Sequence, residues 1–479
     1  MKGPSETYFK NIIERRDRRF DGRFYFGVKT TGIYCRPVCP AKPKPENILI
    51  FKSASEAEKA GFRACLRCHP DLAPGSKFLD GTINTVSRAL RLLNDSSGAD
   101  WTIQKLAASL GMTDRHLRRL FDEHLGASPV EILITQRLHL AKQLLQETAT
   151  PITEIALASG FQSIRRFNEA FKSRYRKSPS ELRKTRSQNA TDGLSLKIPI
   201  RLPYDWPAVM AYLTRHETYG LEHMEHETYQ RFIPRGKKFG SVVVSMKPKQ
   251  DFLNVKFSNI PLTDVRFVLG RLKNLFDTDH NPVHLPSTKG LSSNGIRVPG
   301  SFDPFETAVA IILSQLVSSE QARAKLKTLI ERFGRKIGRH TSGDVFEFPT
   351  PAILANAKIE EIGLTRNKAH AIRELSRAVQ NGTVDFKAHI DFSKATERLL
   401  RIRGIGPWTA TMIAMRCLGD SDAFPEFDLI IQRALRKKLA HQKDWASSRA
   451  YLTHCLWRDF SRVLSKTKGE KHELPVSKN

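Results

Sequence analysis

The spacing of apolar positions changes several times along the chain, and the changes divide it. In residues 1–75 the runs FYFGV and NILIF are β-branched and aromatic and read as strands, while SASEAEKAGF has the spacing of one helix. From 80 to 185 apolar residues recur at helical intervals, from TINTVSRALRLL through SPSELRK. The stretch KTRSQNATDG is almost free of apolar residues and predicts a linker at 186–193. Alternation returns over 194–286 in LSLKIPI, SVVVSM and FLNVKF, with helices predicted for DWPAVMAYLTRH and PLTDVRFVLGRLKNLF. Residues 287–466 read as nearly all helical, and the polar stretch 467–479 as disordered. The expected fold class is multidomain and mainly α: a small α+β unit, a helical region, a second α+β unit and an all-α domain.

The helical region 80–185 contains a repeat. IQKLAASLGM at 103–112 matches ITEIALASGF at 152–161, and Ser128-Pro129 matches Ser178-Pro179. Each copy reads as helix, glycine turn, basic amphipathic helix, which is a helix-turn-helix. The second helix of each would enter the major groove, carrying Arg115, Arg118 and Arg119 in the first copy and Arg165, Arg166, Lys172 and Arg174 in the second. A helical bundle with solvated arginines is the plainer alternative. The two copies together resemble the AraC-type DNA-binding domain.

Composition adds a partner. The formal charge is +29, split almost evenly between residues 1–190 and the remainder. A polyanion is expected, and nucleic acid rather than membrane, because no long apolar run appears. The first twenty residues have no signal-peptide core, so a cytoplasmic, nucleoid-associated bacterial protein is expected.

Four of the six cysteines are spaced as Cys35-x3-Cys39-x25-Cys65-x2-Cys68. Two close pairs across a loop suit a tetrahedral Zn2+ site with four thiolates. Such a site either only holds a small domain together or, carrying net negative charge, also attacks a soft electrophile. Cys417 and Cys455 stand alone in apolar helical patterns and read as inert core residues, and His69 as a surface histidine. The residues TTGIYCRPVC, AGFRAC and RCHPD closely resemble the N-terminal domain of the Ada adaptive-response regulator. That resemblance implies zinc on the four cysteines and irreversible transfer of a methyl group from a DNA methyl phosphotriester to Cys35. Losing part of the cluster's negative charge would then strengthen DNA binding. The Pro-Cys-His-Arg nucleophile of that regulator's second methyltransferase is absent from the sequence, so repair of O6-methylguanine is not expected.

LLRIRGIGPWTATMIAMR reads as helix, tight turn, helix. Gly404 and Gly406 would permit close approach of backbone N–H groups to a DNA phosphate at a helix N-terminus, although an ordinary helix connection would look similar. Asp428 follows in an apolar setting, where it suits a helix N-cap, a role compatible with catalysis. With FDPFETAVAIILSQLVSSEQA, GIGPWTA and YLTHCLW, the pattern resembles the AlkA-type 3-methyladenine DNA glycosylase II of the helix-hairpin-helix superfamily, over about 194–460. The resemblance implies a catalytic Asp428, a base pocket formed by Trp408, Trp457 and Met412, and Leu316 as a wedge filling the gap left by a flipped base. The plainer alternative for the tryptophans and Leu316 is that they are core residues. Trp408 stands where bifunctional relatives carry the Schiff-base lysine, so hydrolysis ending at an abasic site is implied. Met412 replaces a tyrosine and Ser448 a tryptophan of the family. A monovalent cation held by the carbonyls of Leu400, Ile402 and Gly404 is implied as well.

The expectation is therefore a DNA alkylation repair and response protein, with domains at 1–75, 80–185, 194–286 and 287–466. Its partners would be double-stranded DNA, at damaged sites and at a promoter, and RNA polymerase, with the chain acting as a monomer. The alternative is a methylation-activated regulator whose glycosylase half only clamps DNA.

Overall fold

A computed structural model describes residues 6–65, 67–70, 73, 85–86, 89–90, 92–93, 102–184, 194–282, 285, 292–386, 392–436 and 445–467. The expected linker 186–193, the tail after Thr467 and half of the helix expected at TINTVSRALRLL lie outside the described residues.

The first unit is built on four short strands, β1 (Tyr25–Val28), β2 (Ile33–Cys35), β3 (Ile48–Phe51) and β4 (Arg63–Ala64), in the order β3-β1-β2-β4. Helix α1 (Glu6–Arg15) precedes the sheet. Helix α2 (Ala54–Lys59) follows β3, and its N-cap Ser53 accepts the N–H of Glu56. The parallel pair β2–β4 brings two distant segments side by side, with Cys35 ending β2 and Cys65 following β4.

The helix-turn-helix repeat is realised twice. Helices α3 (Ile103–Ser109) and α4 (Asp114–Leu125) form the first pair. The long α5 (Pro129–Glu147) connects it to α6 (Ile152–Ala158) and α7 (Ile164–Tyr175), and α8 (Pro179–Lys184) follows. Gly111 (φ +70°) and Gly160 (φ +91°) sit at the two turns in the left-handed region. The repeat extends to side-chain hydrogen bonds: Glu131 accepts the Ser128 N–H and Glu181 the Ser178 N–H, both at 2.7 Å.

A five-stranded antiparallel sheet follows, ordered β5-β9-β8-β7-β6: β5 (Leu194–Pro199), β6 (Glu222–Glu225), β7 (Thr228–Arg235), β8 (Lys238–Ser245) and β9 (Phe252–Ser258). Helices α9 (Trp206–Arg215) and α10 (Leu262–Leu275) pack on it, burying Trp206, Val209, Val265 and Leu272. The remaining helices are α11 (Pro304–Leu313), α12 (Ser319–Phe333), α13 (Pro351–Asn356), α14 (Arg366–Gln380), α15 (Phe392–Leu400), α16 (Pro407–Ile413), α17 (Leu429–Arg436) and α18 (Arg449–Thr467). This part is not all helical. An antiparallel hairpin, β10 (Arg335–His340) and β11 (Gly343–Glu347), interrupts it and leans on the larger sheet, with Phe232 packed against Phe239 and His340. RKIGRH has too few apolar residues to announce a strand; its partner strand and the neighbouring sheet supply the pairing.

The units are not beads on a string. One apolar core joins Tyr34 and Phe51 of the cysteine unit, Phe167 and Phe171 of the second helix-turn-helix, and Val242 and Val255 of the larger sheet.

Candidate functional site

Asp428 lies at the N-terminus of α17, where its Oδ1 accepts the N–H groups of Ile430 (3.0 Å) and Ile431 (3.1 Å). The same carboxylate accepts two indole N–H groups, from Trp457 to Oδ1 (3.2 Å) and from Trp408 to Oδ2 (3.4 Å). Capping and presentation into a cleft therefore coexist. The four donors engage both oxygens and fix the orientation of the carboxylate.

That carboxylate lines a cavity of about 810 Å³ between the α+β unit and the helical domain. Trp408, Met412 and Trp457 line it too, so the residues singled out from sequence converge. Ser448 does not join them; it is buried and donates to the Trp445 carbonyl. Tyr212 of α9 was missed. Its ring lies parallel to Trp457 (centroids 6.5 Å apart, 14° between planes), and Arg416 sits over it at 5.0 Å. His454 packs edge-on to Trp457, and burial, with the Arg416 cation nearby, pushes its pKa down to about 3, so this imidazole is uncharged at neutral pH.

Leu316, in the loop that contributes Ser314 and Val317 to the cavity lining, is fully exposed at 104% and has φ +55°. An apolar side chain so placed is no core leucine. The loop beneath it is fixed at both ends: Ser318 caps α12, and Gln315 Nε2 donates to the Gly404 carbonyl (3.0 Å) and to Thr409 Oγ1 (2.8 Å). Gln315, which was not singled out from sequence, thus ties the exposed leucine to the glycine turn.

The two turn glycines differ. Gly404 has φ +95°, and a Cβ there would meet Ala371 Cβ and the Asn367 carbonyl at 2.9 Å. Gly406 has φ −89° and caps α16, and a Cβ there would meet nothing. Its lack of a side chain leaves the helix N-terminus bare rather than easing the turn. Of the carbonyls expected around a cation, Ile402 accepts the Ile405 N–H and Gly404 accepts Gln315.

In the first unit Cys35, Cys39, Cys65 and Cys68 place their sulfurs within 4.8 Å of one another. Four thiolates around one Zn2+ at ~2.3 Å need S···S separations of roughly 3.8 Å, so the donor set fits. The Arg36 N–H reaches Cys68 Sγ at 3.5 Å, a hydrogen bond suited to an electron-rich sulfur. His69 is not a free surface residue; Lys142 lies 3.4 Å from its Nδ1. Cys417 and Cys455 are buried, as expected.

On the helix-turn-helix units Arg115, Arg118 and Arg119 are exposed on α4, and Arg165, Arg166 and Lys172 on α7. Arg174 departs from the expectation. Its side chain is 16% exposed and its Nε lies 3.1 Å from Glu58 of the cysteine unit, so in this arrangement it does not face solvent. No helix among the described residues is long and apolar enough to cross a membrane.

Comparison with known families matches these units in order. Residues 9–71 match the metal binding domain of Ada, 106–185 a helix-turn-helix domain, 195–303 the AlkA N-terminal domain, and 309–457 the HhH-GPD superfamily of base excision DNA repair proteins. The Escherichia coli DNA-3-methyladenine glycosylase 2 is 28% identical over 51% of this chain and 91% of its own. The E. coli bifunctional transcriptional activator/DNA repair enzyme Ada is 34% identical over 38% of this chain and 48% of its own. The Mycobacterium tuberculosis protein described as "Probable bifunctional transcriptional activator/DNA repair enzyme AlkA" is 32% identical over 470 residues, 93% of this chain and 94% of that one. With all four units present in order and nearly the whole of both chains aligned, this chain belongs to the bifunctional transcriptional activator/DNA repair enzyme AlkA family, and its four-cysteine cluster is a Zn2+ site.

Proposed function

We propose that the chain hydrolyses the N-glycosidic bond of 3-methyladenine and 7-methylguanine in double-stranded DNA and stops at an abasic site. The observation that carries this reading is the Asp428 carboxylate, held by two indole N–H groups on the wall of an aromatic cavity. Alkylation at N3 or N7 makes the purine cationic, and rings such as Trp408 and Trp457 favour a cation by about 2 kcal/mol when water is excluded. Flipping the base costs a few kcal/mol, offset by Leu316 filling the vacated stack. As the bond breaks, positive charge grows on the sugar. An ionised Asp428 ~4 Å away would stabilise it by ~4 kcal/mol at an effective dielectric of ~20. The bare helix N-terminus at Gly406 grips the backbone phosphate. Trp408 offers no amine, so no Schiff base forms and the strand stays intact.

The first unit acts alongside. Bound Zn2+ keeps the four sulfurs deprotonated at neutral pH. Cys35 Sγ attacks the methyl carbon of a methyl phosphotriester; the S–C bond forms, the C–O bond breaks and the phosphodiester anion leaves. The lost negative charge raises DNA affinity, and the exposed arginines of α4 and α7 read a promoter. Activation there implies contact with RNA polymerase on the nucleoid, by a single chain that carries both functions.

DNA labelled on its methyl groups tests both halves in one tube. Label on protein, lost in Cys35→Ala, reports the acceptor. Label released as free base reports the cavity. Neither appearing would reject the reading.

A further inference from the structure

The contact between the zinc unit and the second helix-turn-helix is polar and buried, and His139 Nε2 also lies 4.0 Å from its central carboxylate, Glu58. Glu58 of α2 has a side chain with no exposure, and a lone buried carboxylate would be costly. It is not alone. Its Oε1 accepts the Tyr34 hydroxyl (2.8 Å), its Oε2 accepts the Thr135 hydroxyl (2.8 Å), and Arg174 Nε lies 3.1 Å from Oε2. Thr135 in turn accepts Ser55 Oγ (2.7 Å) and Arg174 (3.2 Å). Tyr34, Ser55 and Glu58 belong to the zinc unit; Thr135 and Arg174 belong to the DNA-binding helices. The zinc unit is pinned next to this network by Ser53 Oγ, which donates to the Leu125 carbonyl at 2.6 Å.

A guanidinium in the last turn of a groove-entering helix is a natural ligand for a DNA phosphate. Here a carboxylate of the same chain occupies it. The two anions offer the same chemistry, paired oxygens for N–H donors, and they compete for one cation. We propose that Glu58 is an intramolecular stand-in for a DNA phosphate: docking of the zinc unit withholds Arg174 from DNA, and undocking releases it for one further phosphate contact. This rests on the reading of α7 as a DNA-entering helix. The latch sits in the domain that senses methylation, so it gives that domain a direct grip on the second DNA-binding unit.

Salt dependence counts phosphate contacts, because each adds about 0.9 to the slope of log affinity against log salt. The full-length zinc-loaded protein is titrated with a short mixed-sequence duplex across a salt series. Arg174→Ala alone is expected to leave the slope unchanged. Glu58→Gln, which keeps the shape and some hydrogen bonds, is expected to tighten binding several-fold and steepen the slope by about 0.9. The double variant is expected to return to the wild-type slope. A shallower slope for Arg174→Ala alone would mean that Arg174 already touches DNA, and the latch would be wrong; this arm stands even if Glu58→Gln misfolds. A folded, zinc-bound Glu58→Gln with an unchanged slope would overturn it equally. Arg118→Ala separates the two levels. It should flatten the slope whether or not the latch exists, and if it does not, the DNA-binding reading fails and the latch with it.

Discussion

A single side chain with two jobs is the sharpest residue-scale feature. Asp428 is an N-cap by its bonds to Ile430 and Ile431 and a pocket group by its bonds to Trp408 and Trp457. Local sequence could show the first job and suggest the second, because hairpin and carboxylate lie close together in the chain. Tyr212 was illegible for the opposite reason: it arrives from another domain, on a helix whose pattern says only that one face is buried. Arg174 was legible as a basic helix residue but not as a paired one, since Glu58 lies far upstream and its alanine-rich helix reads as ordinary. Leu316 separates function from folding. Fully exposed, it contributes nothing to a core, so Leu316→Ala should melt within ~0.5 kcal/mol of wild type, as surface changes do. Base release from duplex DNA should nonetheless fall by tenfold or more, at a cost of about 1.4 kcal/mol, and release from single strands much less. Equal loss on both substrates would remove Leu316 from the wedge role.

At the scale of elements, the glycine turn and helix α18 make separable predictions. Gly404→Ala forces a left-handed φ and a 2.9 Å clash with Ala371, so a loss of about 1–3 kcal/mol or more in stability is expected by denaturant titration. Gly406→Ala meets no atom of the protein and should cost under about 1 kcal/mol, the scale of a weakened N-cap. Its effect should appear as weaker DNA binding. If both variants lost only stability, the bare helix end would not be a phosphate grip. Helix α18 carries His454 into the pocket wall, with its pKa held at about 3. Unfolding returns it to about 6.5, so above pH 6.5 both states are neutral and nothing changes. Below 6.5 the unfolded chain takes up a proton that the folded one refuses, and stability falls by about 2 kcal/mol by pH 5. In His454→Gln that part of the acid slope between pH 6.5 and 5 should vanish; an unchanged slope would mean that His454 titrates freely. The helix-turn-helix repeat was the most legible element pair, because its apolar spacing, turn glycines and Ser-Pro pairs recur in sequence. The β10–β11 hairpin was the least, because its pairing depends on a sheet built by another part of the chain.

For the whole molecule, domain order was readable and domain contact was not. Changes of period and the linker composition divide the chain. The shared core joining zinc unit, second helix-turn-helix and larger sheet comes from residues that are each unremarkable locally. Zinc removal tests how far that joining matters. Sheet β1–β4 is small and relies on metal, so chelation should unfold it and abolish methyl uptake, the usual fate of small zinc folds. None of the four cysteines lines the cavity at Asp428, so base release should persist within about threefold, under 1 kcal/mol in barrier. Parallel loss of both activities would mean that the zinc unit supports the glycosylase site itself. The central claim remains the carboxylate facing a flipped base. It is tested most directly by single-turnover release of 7-methylguanine from duplex DNA by Asp428→Asn, since asparagine still caps α17 and should keep the fold. Removing ~4 kcal/mol of charge stabilisation predicts a rate about a thousandfold slower, with melting temperature and DNA affinity near wild type; a rate within a few-fold of wild type would contradict the account.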